Sequence, residues 1–141
     1  MKPYHFGHYV NVLGRIIVKR MNEKMSNTGL TCSQWSVIAR LLREDELTQT
    51  EICEQLSIEA PAISKTICNM VSAGWLTRLV NESDKREKKV ALTEKAKEYL
   101  PTWLRSINDL ETTALNGIES EEAEIFNRVL KRMIVNLRKE H

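Results

Sequence analysis

Apolar residues recur at intervals of three and four along most of the chain, which is the period of a helix with one buried face. The first such stripe predicts a helix over about residues 6–27. Thr31 and Gln34 have the spacing of a capping box and predict the start of a second helix. Thr48 and Glu51 repeat that spacing and predict a third.

A helix-turn-helix pattern with a following hairpin occupies the middle of the chain. Residues 56–58 interrupt the third helix, and a fourth begins near Pro61, whose missing N–H costs little in a first turn. Gly74 ends the fourth helix at a position that favours left-handed backbone. Two short strand-like runs follow, 75–80 and 88–92, separated by a polar segment. The order helix, turn, helix, hairpin predicts a winged helix-turn-helix.

The last third of the chain predicts two further helices. Thr93 is a suitable N-cap for a long helix, and Pro101 inside that helix predicts a kink or a break at about residues 97–101. Residues 116–117 end it, and Ser120 is the expected N-cap of the last helix. The predicted fold is therefore mainly α with a small β-hairpin wing.

Length and composition predict one soluble domain over residues 1–141. The chain is 42% hydrophobic and 28% charged, which is ordinary for a globular protein. No apolar run approaches the length of a membrane span. Residues 1–5 lack the basic-then-apolar pattern of a secretion signal, so we expect a cytoplasmic protein without a membrane partner.

The apolar stripes of the terminal helices exceed what a small winged helix can cover. We therefore expect residues 1–29 and 94–141 to be dimerisation helices of a homodimer, with the winged helix-turn-helix lobe at residues 30–93. A compact monomer with a larger helical core is the alternative. The expected dimer contacts on the last helix are Leu130, Ile134 and Leu137.

The net charge of +2 is unevenly distributed. Residues 65–89 hold six basic and three acidic residues, and the excess is concentrated on the predicted hairpin. Residues 94–124 hold eight acidic and three basic residues, which excludes a basic coat over the whole chain. Contact with nucleic acid must then be local.

The outward face of the fourth helix has the profile of a recognition helix. Its side chains are small or hydrogen-bonding, as close approach to base edges in the major groove requires. A winged-helix module that binds another protein instead of DNA remains an alternative. The candidate DNA-binding residues on the third and fourth helices are Thr48, Pro61, Ala62, Ser64, Lys65 and Asn69, and those on the hairpin are Asp84, Lys85, Arg86 and Lys88.

The same residues resemble a known family, the multiple-antibiotic-resistance regulators (MarR). The resemblance covers the whole chain in order and length, and the Asp-x-Arg of the hairpin is its most specific part. The segments that carry it are Leu56-Ser57-Ile58, Gly74-Trp75-Leu76, Asp84-x-Arg86, Leu92-Thr93 and, upstream, Leu30-Thr31-x-x-Gln34-Trp35-x-Val37-Ile38-x-x-Leu41.

The resemblance implies a homodimeric transcriptional regulator whose wing arginine reaches the minor groove of double-stranded DNA. It implies that Arg86 is this residue and that Asp84 holds the wing in shape. Ser64 and Lys65 match the family's common Ser/Thr-Arg pair, whereas residues 68–69 are Cys-Asn where members often carry Asp-Arg. A symmetric dimer predicts an inverted-repeat operator with half-site centres about 10 base pairs apart.

The resemblance is compatible with a repressor or an activator, and the function we expect is a repressor that a small-molecule effector releases from DNA. The effector pocket would lie between the dimerisation helices and the DNA-binding lobe. Simple core packing is the alternative interpretation of the aromatic residues there. The candidate lining residues are Tyr9, Leu13, Trp35 and Trp103.

The sequence gives little support for a catalytic or metal-binding site. We therefore expect that the protein is not an enzyme and that it binds no cofactor or metal. The sequence has no Gly-rich phosphate loop and no His-Glu-x-x-His helix. His5, His8 and Cys32 could converge as soft metal ligands, but their spacing has no specific signature. Cys53 and Cys68 are expected to fill the core, and a redox- or metal-responsive regulator of the same fold is the alternative.

Overall fold

The computed structural model describes residues 6–80 and 88–139. The predicted wing residues Asp84, Lys85 and Arg86 lie outside this part of the chain. The described elements confirm a mainly α fold with a small antiparallel sheet. They are α1 (Phe6–Met25), a 3-10 turn (Ser26–Thr28), α2 (Cys32–Glu44), β1 (Glu46–Thr48), α3 (Gln49–Leu56), α4 (Ala60–Ser72), β2 (Leu76–Val80), β3 (Lys88–Leu92), α5 (Glu94–Ala114) and α6 (Ser120–Lys139).

Two reciprocal capping boxes open α2 and α3, as predicted. The Thr31 hydroxyl accepts a hydrogen bond from the Gln34 N–H at 3.2 Å, and the Gln34 side chain accepts one from the Thr31 N–H at 3.2 Å. Thr48 and Glu51 make the equivalent pair at 3.1 and 3.0 Å. Each box satisfies two amides that the helix leaves without intrahelical partners.

Left-handed residues end α3 and α4. Ser57 (φ 53°, ψ 46°) follows α3, and the Ile58 N–H donates to the Cys53 carbonyl at 3.2 Å. Gly74 (φ 88°) follows α4, and the Trp75 N–H donates to the Met70 carbonyl at 2.9 Å. The break around residues 56–58 and the stop at Gly74 are therefore confirmed.

The sheet contains one strand that the sequence pattern does not predict. Its order is β1-β3-β2, with Leu47 of β1 opposite Val90 of β3 and Arg78 of β2 opposite the same residue. The charged run that ends at Glu46 predicts a surface turn instead. Leu47 is only 1% exposed, so burial against β3 converts the end of that turn into a strand.

Two predictions about the last helices need correction. α5 has no break at Pro101, because Ala96 and Trp103 are each 1% exposed and their packing outweighs the missing backbone hydrogen bond, while a kink at this residue stays a prediction. Ser120 is the first residue of α6, not its cap. The Glu119 N–H instead donates to the Glu122 carboxylate at 3.1 Å.

The chain divides into two compact units, residues 1–106 and 107–141. The first unit contains the winged helix-turn-helix and its core, which draws fully buried side chains from α2, α3, α4, β1 and β3. Among the described helices, none is long and apolar enough to cross a membrane. The core side chains with at most 2% exposure in these elements are Val37, Ile38, Leu41, Leu47, Ile52, Ile63, Ile67, Met70 and Val90.

Candidate nucleic-acid interface

The two faces of α4 differ sharply in burial. Ile63, Ile67 and Met70 recur at helical spacing and are at most 2% exposed, so they fix the helix on the core. The opposite face is open to solvent. The residues predicted to contact DNA lie there, with Pro61, Ala62, Lys65 and Asn69 exposed and Ser64 half-buried.

The composition of this exposed face suits entry into a groove. Its N-terminal part begins with Pro61 in the first turn and Ala62, so no long side chain stands between the helix and an approaching surface. Lys65 follows as the single basic residue of α4.

The C-terminal end of α4 is anchored to the start of α5. The Lys95 ammonium donates to the Ala73 carbonyl at 2.7 Å and lies 4.3 Å from the ring centroid of Trp75. The Thr93 hydroxyl donates to the Gly74 carbonyl at 2.6 Å and accepts the Ala96 N–H at 3.1 Å. The position of the recognition helix is thus coupled directly to α5.

An aromatic cluster lies next to this anchor. The ring centroids of Trp75 and Trp103 are 4.9 Å apart, and Tyr99 lies 5.1 Å from Trp75. Trp103 is 1% exposed, and its indole N–H donates to the Thr28 hydroxyl at 3.0 Å. Trp103 is therefore a core residue with a satisfied polar group, which is the alternative that the sequence left open.

The other predicted pocket residues do not share that environment. Tyr9 and Leu13 are exposed on α1, by 70% and 42%, and Trp35 is half-buried. The surface of α1 has an open depression, but neither these three residues nor Trp103 line it. It is lined by Gly14, Arg15, Val18, Lys19, Asn22 and Glu23.

The hairpin contributes basic residues on both strands. Lys88 is exposed at the start of β3, whereas Lys89 forms an ion pair with Glu46 at 3.7 Å. Arg78 on β2 is exposed, and its Nη2 donates to the Cys68 Sγ on α4 at 3.3 Å. The sequence pattern does not predict a role for Arg78, because a contact between residues ten positions apart has no local signal.

Thr48 is half-buried at the start of α3, with its hydroxyl oxygen accepting the Glu51 N–H. Two hydrogen bonds from Thr48 to the Glu51 carboxylate hold the pKa of Glu51 below its usual range. The bond from the Thr48 backbone N–H has the larger effect, and the bond from its side chain has the smaller one. The capping box therefore stays intact and negatively charged at neutral pH.

The cysteines differ from the expectation of buried fillers. Cys68 is exposed and Cys53 is half-buried. Cys32 is half-buried, its Sγ lies 3.7 Å from the Met21 sulfur, and burial raises the pKa of its thiol. Across residues 6–80 and 88–139, no three His, Cys, Asp or Glu side chains form a group that could hold a metal ion. His5 lies outside these ranges.

Comparison with known proteins agrees with this geometry. The model of the MarR family matches residues 28–87. The HTH-type transcriptional regulator YwoH of Bacillus subtilis is 34% identical over 130 residues, covering 92% of this chain and 94% of its own. A MarR transcriptional regulator from Methanosarcina mazei superposes with a TM-score of 0.87 and 25% identity, covering 97% of this chain and 99% of that one.

A mutant MarR from E. coli, solved in complex with operator DNA, has the same fold. Its TM-score is 0.80 at 23% identity, over 90% of this chain and 91% of that one. These relatives are transcriptional regulators and not enzymes. The match of the MarR family model, together with the extended match to YwoH and the winged helix-turn-helix geometry, establishes that the chain belongs to the MarR family of winged helix-turn-helix transcriptional regulators.

Proposed function

We propose that this regulator binds double-stranded DNA as a homodimer at an inverted-repeat operator in the cytoplasm, and represses transcription until a small-molecule effector releases it. The observation that carries the proposal is the exposed face of α4, with small side chains followed by Lys65. A rigid helix with this face can place its N-terminal half in a major groove, where base edges specify sequence. The MarR relative from E. coli was solved with operator DNA, which supports the same mode here.

Arg86 and Lys88 extend the proposed interface along the hairpin. Lys88 is exposed at the root of the wing, and the resemblance assigns Arg86 to the minor groove. Thr48 lies at the start of α3, and we propose that it contacts phosphate. These contacts would fix the register of α4 on the duplex without reading bases.

A homodimer is supported by apolar side chains on α6 that this chain leaves open to solvent. No residue of α6 is buried, while Ile134 is 48% and Leu137 66% exposed and Leu130 is half-buried. On α1, Phe6, Tyr9 and Ile16 are more than half exposed. Large exposed apolar side chains repeated along two helices mark an interaction surface, and a second copy of the chain would cover them.

Release by an effector requires that the effector bind one conformation of the dimer better than another. The bonds from Lys95 and Thr93 to the end of α4 provide a direct mechanical link, since any shift of α5 must move the recognition helix or break them. Tyr9, Leu13 and Trp35 remain the proposed contacts of the effector.

A selection from random DNA tests the function and identifies the operator in the same experiment. Duplexes with a randomised centre of about 30 base pairs, enough for two half-sites, are enriched by binding to the full chain and sequenced. We expect an inverted repeat with half-site centres about 10 base pairs apart and a dimer in sedimentation velocity. Inserting about five base pairs between the half-sites should abolish tight binding, because it rotates one half-site by half a turn.

Failure to enrich any sequence would refute the proposal of specific DNA binding. Enrichment of a single unsymmetrical site, or a wild-type chain that sediments as a monomer at micromolar concentration, would refute the symmetric dimer. A transcription assay from a promoter that carries the enriched sequence then separates repression from activation.

A further inference from the structure

Arg78 makes an unusual contact for an exposed arginine. Its Nη2 donates to the Cys68 Sγ at 3.3 Å, and a thiol sulfur is a weak acceptor. Among the described residues, no carboxylate lies within ion-pairing distance of Arg78. A neutral group thus holds the guanidinium in place, and within residues 6–80 and 88–139 most of its five donors have no partner.

The contact places this charge on the recognition face of α4. Cys68 follows Lys65 by three residues and Pro61 by seven, so the three side chains form one stripe along the helix. All three are exposed, and Ile67 and Met70 lie on the buried side. The guanidinium of Arg78 therefore lies beside the stripe that begins with Pro61.

The recognition helix has little positive charge of its own. Lys65 is its single basic residue, and the exposed position 69 is a neutral asparagine. Phosphate contacts supply most of the sequence-independent affinity for DNA. An arginine that lies on this face from the neighbouring strand supplies the second cation that the helix lacks.

We propose that Arg78 binds a backbone phosphate of the DNA beside α4 and that Cys68 is its positioning residue. The inference rests on the proposed function. A planar guanidinium with free donors is suited to bidentate contact with phosphate oxygens. The thiol orients the guanidinium without neutralising it, whereas a carboxylate at position 68 would occupy the same donors.

The test uses the inverted-repeat duplex enriched by the selection and measures its dissociation constant against KCl concentration. Because a symmetric dimer carries two copies of Arg78, Arg78→Gln should lower the slope of log affinity against log salt by about 1.8, about 0.9 for each lost phosphate contact, and weaken binding about thirtyfold at about 0.15 M salt. Arg78→Lys should keep most of the slope, because it keeps the charge. Arg105→Gln is the matched control, since Arg105 is exposed on α5 and should leave the slope unchanged.

Cys68 is tested by its coupling to Arg78. Cys68→Ala should weaken binding by about twofold to threefold in the wild-type background and leave the Arg78→Gln variant unchanged. Cys68→Ser should retain near-wild-type affinity, because a hydroxyl is also a neutral acceptor. Equal losses in both backgrounds would refute the positioning role of Cys68. Circular dichroism of each variant verifies that it is folded.

The outcomes distinguish this inference from the proposed function. A wild-type chain that binds the enriched duplex, with an unchanged salt slope in Arg78→Gln, would refute the role of Arg78 and leave DNA binding intact. A wild-type chain that enriches no duplex would refute DNA binding and this inference together. If Arg78→Gln fails to fold, Arg78→Ala replaces it, since it also removes the charge, and an unchanged salt slope in that variant would contradict the proposal.

Discussion

Lys95 joins the end of the recognition helix to α5, and its removal offers a direct test of that joint. Its ammonium donates to the Ala73 carbonyl at 2.7 Å, where the C-terminus of α4 attracts positive charge. The same ammonium lies 4.3 Å from the Trp75 ring centroid. The aliphatic stem of the Lys95 side chain covers Gly74, so that a Cβ atom at position 74 would lie 3.4 Å from the Lys95 Cδ. One exposed side chain thus makes three different contacts.

The magnitude follows from these contacts. A cation over an aromatic ring at an exposed site contributes about 0.5–1 kcal/mol. The hydrogen bond to a C-terminal carbonyl adds about 0.5–1 kcal/mol, because solvent screens its charge. We expect Lys95→Ala to lower the free energy of unfolding by about 1–2 kcal/mol, and the melting temperature by about 2–8 °C. Lys95→Met keeps the stem and should lose most of this amount, since both electrostatic contacts disappear.

The assay is equilibrium urea unfolding of both variants and the wild type at one fixed protein concentration, because a dimer's stability depends on concentration. The slope against urea should be unchanged. A loss below about 0.3 kcal/mol for Lys95→Ala would show that the joint contributes nothing. A full loss for Lys95→Ala with none for Lys95→Met would assign the stability to stem packing, and the electrostatic reasoning would be wrong.

Further predictions concern the dimer, the wing, a capping box and a strained turn. Ile134→Asp should give monomer or unfolded chain in sedimentation, whereas Val135→Asp, about 100° round the same helix and 43% exposed, should remain dimeric. Arg86→Ala should weaken binding to the selected duplex by about 1–3 kcal/mol and lower its salt slope, with unchanged melting. Because the folded-state pKa of Glu51 is lowered, its ionised form stabilises the fold at neutral pH, and the advantage of wild type over Glu51→Gln in urea unfolding should be lost as the pH falls through the lowered pKa, below the ordinary value of 4.5. Asp45 (φ 58°, ψ −49°) has strained backbone, so Asp45→Gly should raise stability by about 1 kcal/mol and Asp45→Ala should not.

Features that depend on residues only three or four positions apart were predictable from the sequence. The boxes at Thr31 and Thr48 each depend on a residue three positions away, and the stop at Gly74 depends on one residue's backbone freedom. The buried face of α4 followed from helical spacing alone. The same spacing correctly assigned Pro61 and Lys65 to the exposed face.

Features created by distant parts of the chain were not predictable. β1 has three residues, too few for an alternating pattern, and it becomes a strand because Leu47 packs opposite Val90. The exposed Cys68 and its contact with Arg78 depend on how the hairpin folds back along α4. Helix propensity alone predicts that α5 breaks at Pro101. The helix continues because its residues pack against the core.

The tryptophans and tyrosines, including those of the aromatic cluster around Trp75, are distributed unevenly between the two units. All three tryptophans and all three tyrosines precede residue 107, and Trp75 and Trp103 stack edge to face within the cluster. Residues 107–141 carry neither chromophore. Intrinsic fluorescence therefore reports on the first unit alone, while far-ultraviolet circular dichroism also senses the twenty residues of α6. Coincident melting curves from the two signals would mean that both units unfold together, and curves that separate would resolve the loss of α6 as a distinct step.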